Sequence, residues 1–427
     1  MFSLRKSAFL AVLSVFSSLF SAWAAEEGQN IYGDAADYLH RIYGIDDNAG
    51  LTAFPILNIP MGGRSEGMAG AFSAVSDDIS FLEYNPAGSS MLEKSELALF
   101  HNNWIADAKI EAIAFATRFG DFGLAAGLKW LYMPFTEYNI YGERVSGGYY
   151  SEGVAVLNLS YNFLSGYYFS GLSVGLNLKG AFRLMPDYTD NFDNVIAGSG
   201  MSQSAIMGMA DLGFLTRFNF LKGYSAREKN ASAAIVFRNL GPPSMGEPLP
   251  TAVNASFSYK PLRPLTIALD FTLPVNIIDF DLSELPYGAV GLSLNVTKFL
   301  SMRAGFMLKA GSSRVSVGSA LILNNLAVDV NYTLDMLTQM QPMNRISLGV
   351  RLNLGDSGRV IKSGRVDELY LLGMEAFAKG NFDDARLCWN EALRLNPNFD
   401  PAKEGLAMMD EREGLIQRID DLHRLDF

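Results

Sequence analysis

The stretch 344–354 reads NRISLGVRLNL. Ile346, Leu348, Val350, Leu352 and Leu354 fall on one face of an extended chain, and Arg345, Ser347, Gly349, Arg351 and Asn353 fall on the other. Successive side chains point to opposite faces of a strand, so this strict period of two marks a strand with one apolar and one polar face. The same period runs through 326–334, 253–259, 290–297 and 172–179. Two architectures can use it. A soluble sandwich turns the apolar face to a core, whereas a barrel in lipid turns it outward and keeps small polar residues in the lumen. Most segments run about ten residues, the length a tilted strand needs to cross a bilayer. About fourteen of them fit between Ser95 and Leu354, which favours the barrel.

The connections carry a second signal. Those after even-numbered strands are mostly short, as at Gly120-Asp121-Phe122, Ser165-Gly166, Pro261-Leu262, Lys298-Phe299 and Asn324-Asn325. Those after odd-numbered strands include long ones, about 134–152, 187–203, 241–247, 274–285 and 336–341. Short turns on the periplasmic side and long loops outside are the pattern of bacterial outer-membrane barrels. Exceptions are the longer turn over 221–229 and the short connections near Ala106 and Gly311. An even strand number puts both barrel ends on the short-turn side.

Export fits this reading. Arg5 and Lys6 precede an apolar run from Ala8 to Phe20, and Ala22-Trp23-Ala24 offers small residues for cleavage, so 1–24 is expected to be a signal peptide. The net charge of −11 argues against a nucleic-acid partner, which needs a basic patch. The single cysteine, Cys388, excludes an internal disulfide. His40, His101 and His423 are widely separated, so no metal site, catalytic group or cofactor is expected, and the chain is not read as an enzyme. Arg345, Arg351, Lys179 and Asp329 fall on lumen positions, where an internal ion-pair lattice is expected. Tyr149, Tyr150, Tyr167, Tyr168 and Phe169 suit interfacial girdles.

Residues 25–94 are too many for a simple lead-in and are expected to form an N-terminal periplasmic segment and a plug. Their centre is dense in Gly, Ala and Ser, which lets backbone pack on backbone. It carries Gly67-Met68-Ala69-Gly70-Ala71-Phe72, then Asp77-Asp78, then Asn85-Pro86-Ala87-Gly88. In that order, after a signal and before about fourteen strands, these motifs resemble the N-terminal region of FadL-like outer-membrane transporters and the related PorV-like proteins. They also resemble an uncharacterised family of treponemal proteins. The FadL resemblance implies a hatch that plugs a fourteen-stranded barrel. It assigns hatch and gating roles to Asn85, Pro86, Ala87, Gly88, Asp77, Asp78, Gly67 and Gly70, and it implies a hydrophobic cargo such as a long-chain fatty acid. PorV-like relatives use the same fold as a partner in protein secretion.

After Gly355 the alternation stops. Residues 355–365 read as a linker, and 366–427 resemble a tetratricopeptide-like helical domain, expected in the periplasm. Leu372, Gly373, Gly380, Phe382, Ala385, Trp389, Ala392 and Pro397 fall at that repeat's signature positions. Gly373 and Ala385 let two helices approach, Trp389 fills the groove between them, and Pro397 ends the second helix. A third helix over 401–425 can cap the pair. The fold class expected is therefore mainly β, a fourteen-stranded transmembrane barrel over 95–354 with an N-terminal hatch and a small all-α domain. Two functions stay open: a hatch-gated carrier of hydrophobic molecules, or an outer-membrane anchor that recruits a periplasmic protein through 366–427.

Overall fold

A computed structural model describes residues 46–104, 107–190, 192, 194–336 and 343–425, with Tyr38 and Gly44. The expected signal peptide, 1–24, and His40 lie outside the described residues. The chain forms fourteen strands: β1 (Ser95–Asn103), β2 (Lys109–Phe119), β3 (Phe122–Tyr138), β4 (Arg144–Phe163), β5 (Leu172–Leu184), β6 (Ala205–Phe218) and β7 (Ala231–Leu240). The second half is β8 (Ala252–Leu262), β9 (Leu265–Pro274), β10 (Tyr287–Asn295), β11 (Leu300–Leu308), β12 (Ser313–Leu323), β13 (Leu326–Met336) and β14 (Met343–Gly355). Every strand pairs antiparallel with its sequence neighbours, and β1 pairs with β14 to close the barrel. Closure removes sheet edges, which hydrocarbon would leave without hydrogen-bond partners.

Alternation sets the two faces. On β14, Leu348 and Leu352 are exposed on the outside, while Ser347 and Arg351 are buried inside. Tight turns pin the register. Asn324, in the left-handed region at φ 49°, makes the two-residue turn that pairs Leu323 with Leu326. The odd-to-even end differs from expectation in one loop. β3 and β4 keep pairing out to Tyr138 and Arg144, so a projecting hairpin replaces most of the loop expected over 134–152. A two-stranded ribbon satisfies its own backbone there.

The lumen is a packed core. The segment before β1 begins at the loop end, where Asn48 donates to the carbonyls of Asp281 and Ser283 and the Ala53 N–H donates to Pro248 O (2.8 Å). It then crosses the lumen and leaves into Ser95 at the short-turn end. Residues 46–58 thus lie at the loop end, opposite the short turns. Within the plug, α1 (Arg64–Gly67) and α2 (Phe81–Tyr84) are single turns. Met61, Ile79, Phe81, Leu82 and Leu92 pack on Ala98, Ala112, Ala114, Ala116 and Ala125 of β1–β3. Alanine at those lumen positions makes the space that the plug's large side chains fill.

Three helices follow the barrel: α3 (Arg359–Ala378), α4 (Phe382–Leu395) and α5 (Asp400–Leu425). Helix begins at Arg359, so most of the expected linker over 355–365 is helical. Trp389 is fully buried, and a Cβ on Gly373 would overlap its indole. Tyr370, Phe377 and Phe399 surround the ring. Ala385 and Ala392 are buried beside it, and Gly380, at φ 83°, ends α3. Leu372 stays half-exposed, because Val366 and Leu369 supply that face of the core instead. The helices dock on the short turns of the barrel. Arg227 pairs with Asp367 (2.7 Å), the Tyr167 N–H donates to Asp400 (3.1 Å), and Tyr167 packs edge-on against Phe399. Tyr167 thus serves the domain contact rather than a lipid girdle alone.

Removing the indole empties the centre of the three-helix unit. Trp389→Ala is expected to cost about 3–5 kcal/mol, enough to melt a domain of this size. Far-UV circular dichroism should lose helical signal, while the barrel keeps its heat-modifiable migration on gels.

Candidate functional site

The plug meets the wall in two chemically different halves. The first contains Asn85-Pro86-Ala87-Gly88. Asn85 is fully buried and extended (φ −152°), and it caps the 3-10 turn Pro86–Met91 by accepting the Ala87 N–H at 3.0 Å. Its amide donates to Ser73 O (2.9 Å) and to Phe214 O (3.3 Å) on β6. One side chain therefore ties the turn to itself, to the rest of the plug and to the wall. Pro86 suits the first position of the turn because proline carries no N–H and an N–H there would have no partner. Gly88 lies against Phe81, where a Cβ would collide with the ring.

Hydroxyls and amides from β4 and β5 hold the turn. Asn158 donates to Pro86 O (2.8 Å), and Ser173 donates to Ala87 O (2.7 Å). The Ser90 N–H donates to Ser160 Oγ (2.7 Å), and Asn177 donates to Leu82 O (3.0 Å). The wall opposite is glycine. A Cβ on Gly123, Gly175 or Gly213 would overlap the plug at Ser89-Ser90, Pro86-Ala87 and Asn85-Pro86 respectively. The turn thus sits flush on the backbone of β3, β5 and β6.

The second half, about 62–78, faces β10–β14 and is held by charge. Arg345 donates to Glu66 (2.8 Å) and also pairs with Asp335. Arg351 bridges Asp78 of the plug (2.8 Å) and Asp329 of β13 (3.0 Å), and Asp329 also accepts from Arg303 (2.6 Å). Asp77 pairs with Arg64 inside the plug (2.6 Å). Gly67 packs where a Cβ would press on Asn331 and Arg303, and Gly70 turns the chain at φ 84° against Met307 and Tyr84. The expected lumen lattice is present, with Lys179 paired to Asp211 (2.6 Å).

The structure gathers Asn85, Pro86, Ala87 and Gly88 in one turn, and it separates them from Gly67, Gly70, Asp77 and Asp78 in the charged half. Sequence reasoning missed Glu66, Asn158, Ser160 and Ser173 as plug contacts. Glu66 showed only as one acidic residue of the plug, and the other three only as polar residues at lumen positions, which a hydrated lumen would also show. Of the remaining candidates, His101 pairs with Glu111 on the outer face (2.8 Å), and Cys388 is half-buried in α4. Cavities of about 40, 50 and 90 Å³ lie between plug and wall. Each is room for a few waters and not for a cargo molecule.

The halves differ in what release costs. A neutral hydrogen bond contributes about 0.5–1.5 kcal/mol net, whereas breaking a buried ion pair costs about 3–5 kcal/mol. Amide hydrogen exchange read by mass spectrometry should therefore protect 64–78 more strongly than 85–91, by roughly tenfold or more.

Comparison with known proteins places this architecture. A model of the Uncharacterised protein family (UPF0164) matches residues 44–357, and a tetratricopeptide repeat model matches 366–399. A UPF0164 protein of Treponema pallidum (strain Nichols) is 28% identical over 363 residues, spanning 82% of this chain and 80% of that one. A second from the same organism is 25% identical over 389 residues, spanning 86% and 77%. Among solved structures, the fold is similar to that of the Pseudomonas putida toluene transporter TodX, at 12% identity, 67% and 96% coverage and a TM-score of 0.46. A Pseudomonas aeruginosa FadL homologue is similar at 10% identity, 68% and 97% coverage and a TM-score of 0.39. With the family model spanning plug and barrel together, the chain belongs to the uncharacterised protein family UPF0164, here built as a plugged fourteen-stranded barrel with a C-terminal tetratricopeptide repeat.

Proposed function

We propose that this protein is an outer-membrane carrier of hydrophobic small molecules, such as long-chain fatty acids, gated by its plug. The unequal attachment of the plug supports the reading. A plug that served only to seal would gain from ion pairs all round. This one places them at Glu66 and Asp78 on the β13–β14 side and at Glu83, which pairs with Lys129 of β3 (2.5 Å), and leaves 85–91 on neutral hydrogen bonds and glycine. Displacing Asn85-Pro86-Ala87-Gly88 from β4–β6 opens a path beside Gly175 and Gly213 while Arg345 and Arg351 keep the other half in place. The helical domain then lies in the periplasm as a docking module.

The filled lumen favours a second reading, in which the barrel is an outer-membrane anchor and the helices recruit a secretion or transport partner. Asn85→Ala separates the two. It removes three hydrogen bonds of the closed state, so the open state gains population and apparent affinity for cargo rises. Displacement of a fluorescent long-chain fatty acid from refolded protein should show binding by the parent and several-fold tighter binding by Asn85→Ala. No binding by either form contradicts transport and leaves the anchor.

A further inference from the structure

The docked helices and the short-turn mouth of the barrel together bound an open cleft of about 1060 Å³. Its size exceeds what packing defects leave and falls at the upper end of ligand sites. Its charge is opposite to that of the chain. Seven Lys and Arg line it against four Asp and Glu, in a protein of net charge −11. The carboxylates offset only part of it. Asp121 pairs with Arg118 (3.8 Å) and Arg227 pairs with Asp367 outside the lining, while Asp77 pairs with Arg64, which does not line the space, and also faces Lys260 and Arg217. Lys260 on β8 and Lys362 on α3 have no ion-pair partner among the described residues. Arg217 of β6 donates only to Val75 O of the plug (3.4 Å), and the Arg359 guanidinium donates to the carbonyls of Arg118 and Glu93.

Cations from two folding units thus converge on one cleft. Arg217 and Lys260 stand on the barrel rim, and Arg359 and Lys362 on the helix that covers it. Holding more cations than carboxylates together is unfavourable, and it persists in proteins where an anion completes the site. The remaining wall is apolar at Met91, Phe119, Val366 and Phe399. A single carboxylate would leave most of the charge unmet, whereas a phosphate matches the guanidinium geometry and carries more charge.

We infer that this cleft binds a phosphate-headed amphiphile, with its head between the barrel-rim and helix cations and its acyl part on the apolar wall. The site needs the helical domain as one of its walls, which gives the docked repeat a role apart from recruitment. It also reaches the plug, because Arg217 holds Val75 and Asp77 lines the same space. The inference goes beyond plug gating and does not depend on it, since binding is read on the closed protein.

The test uses the full-length protein in a neutral detergent. Short-chain phosphatidic acid is titrated by calorimetry, beside inorganic phosphate and a neutral diacylglycerol of the same chain length. Lys260→Gln and Lys362→Gln remove charges that make no ion pair, so folding is not at stake. Arg394→Gln, on the exposed face of α4, is the control. The expected result is saturable binding of phosphatidic acid, at least tenfold tighter than that of inorganic phosphate. Each Lys→Gln variant should weaken it several-fold, the pair together tenfold or more, and Arg394→Gln should leave it unchanged. Equal binding of inorganic phosphate, equal binding of the diacylglycerol, or indifference to both lysine variants overturns the assignment.

Discussion

Everything in this molecule depends on how closely the plug backbone approaches the wall. At Gly175 and Gly213 there is no room for a single methyl group, and the Asn85–Gly88 turn occupies that space. A lumen lined by ordinary side chains would hold the segment several ångströms off and leave its carbonyls to water. Contact at glycine lets Asn158 and Ser173 reach the carbonyls of Pro86 and Ala87 directly. Buried backbone groups are thus satisfied by the wall, and a segment with almost no regular secondary structure becomes a fixed part of the barrel.

The same geometry divides labour. Where the plug carries Glu66 and Asp78, the wall answers with Arg345 and Arg351, and these charges are in turn paired within the wall to Asp335 and Asp329. Such a lattice fixes position more than it adds stability, since its Coulomb energy largely offsets the loss of hydration. The turn at Asn85 has no charge to lose and can leave its site at lower cost. Fixed and releasable halves within fifty residues are what a gate requires.

Much of this was legible in the sequence. The period of two at 344–354 and the Asn324-Asn325 turn specify strands, faces and register, because both act through neighbouring residues. The Trp389–Gly373 pair was legible for the same reason: the residues lie sixteen positions apart on consecutive helices and fit one compact motif. The plug's path was not. Entry at the loop end follows from contacts such as Asn48 with Ser283, over two hundred residues away, and no local pattern encodes them. Gly175 and Gly213 read as unremarkable lumen positions, because a strand tolerates glycine without saying what approaches it. The loop expected over 134–152 failed for a related reason. Its residues carry no apolar–polar alternation, because a ribbon beyond the bilayer faces water on both sides, and pairing continues out to Tyr138 and Arg144.

The central claim is that 85–91 moves while 62–78 stays. Two engineered disulfides in a Cys388→Ser background test it most directly. Ser90→Cys with Ser173→Cys, whose hydroxyl oxygens lie 2.5 Å apart, staples the neutral half to β5. Gly67→Cys with Asn331→Cys staples the charged half to β13. Fatty-acid uptake is then measured in cells that rely on this barrel, before and after reduction. The account predicts that the first disulfide abolishes uptake and that reductant restores it, while the second leaves uptake near the parent rate. Uptake that survives the first disulfide, or is lost only with the second, contradicts it.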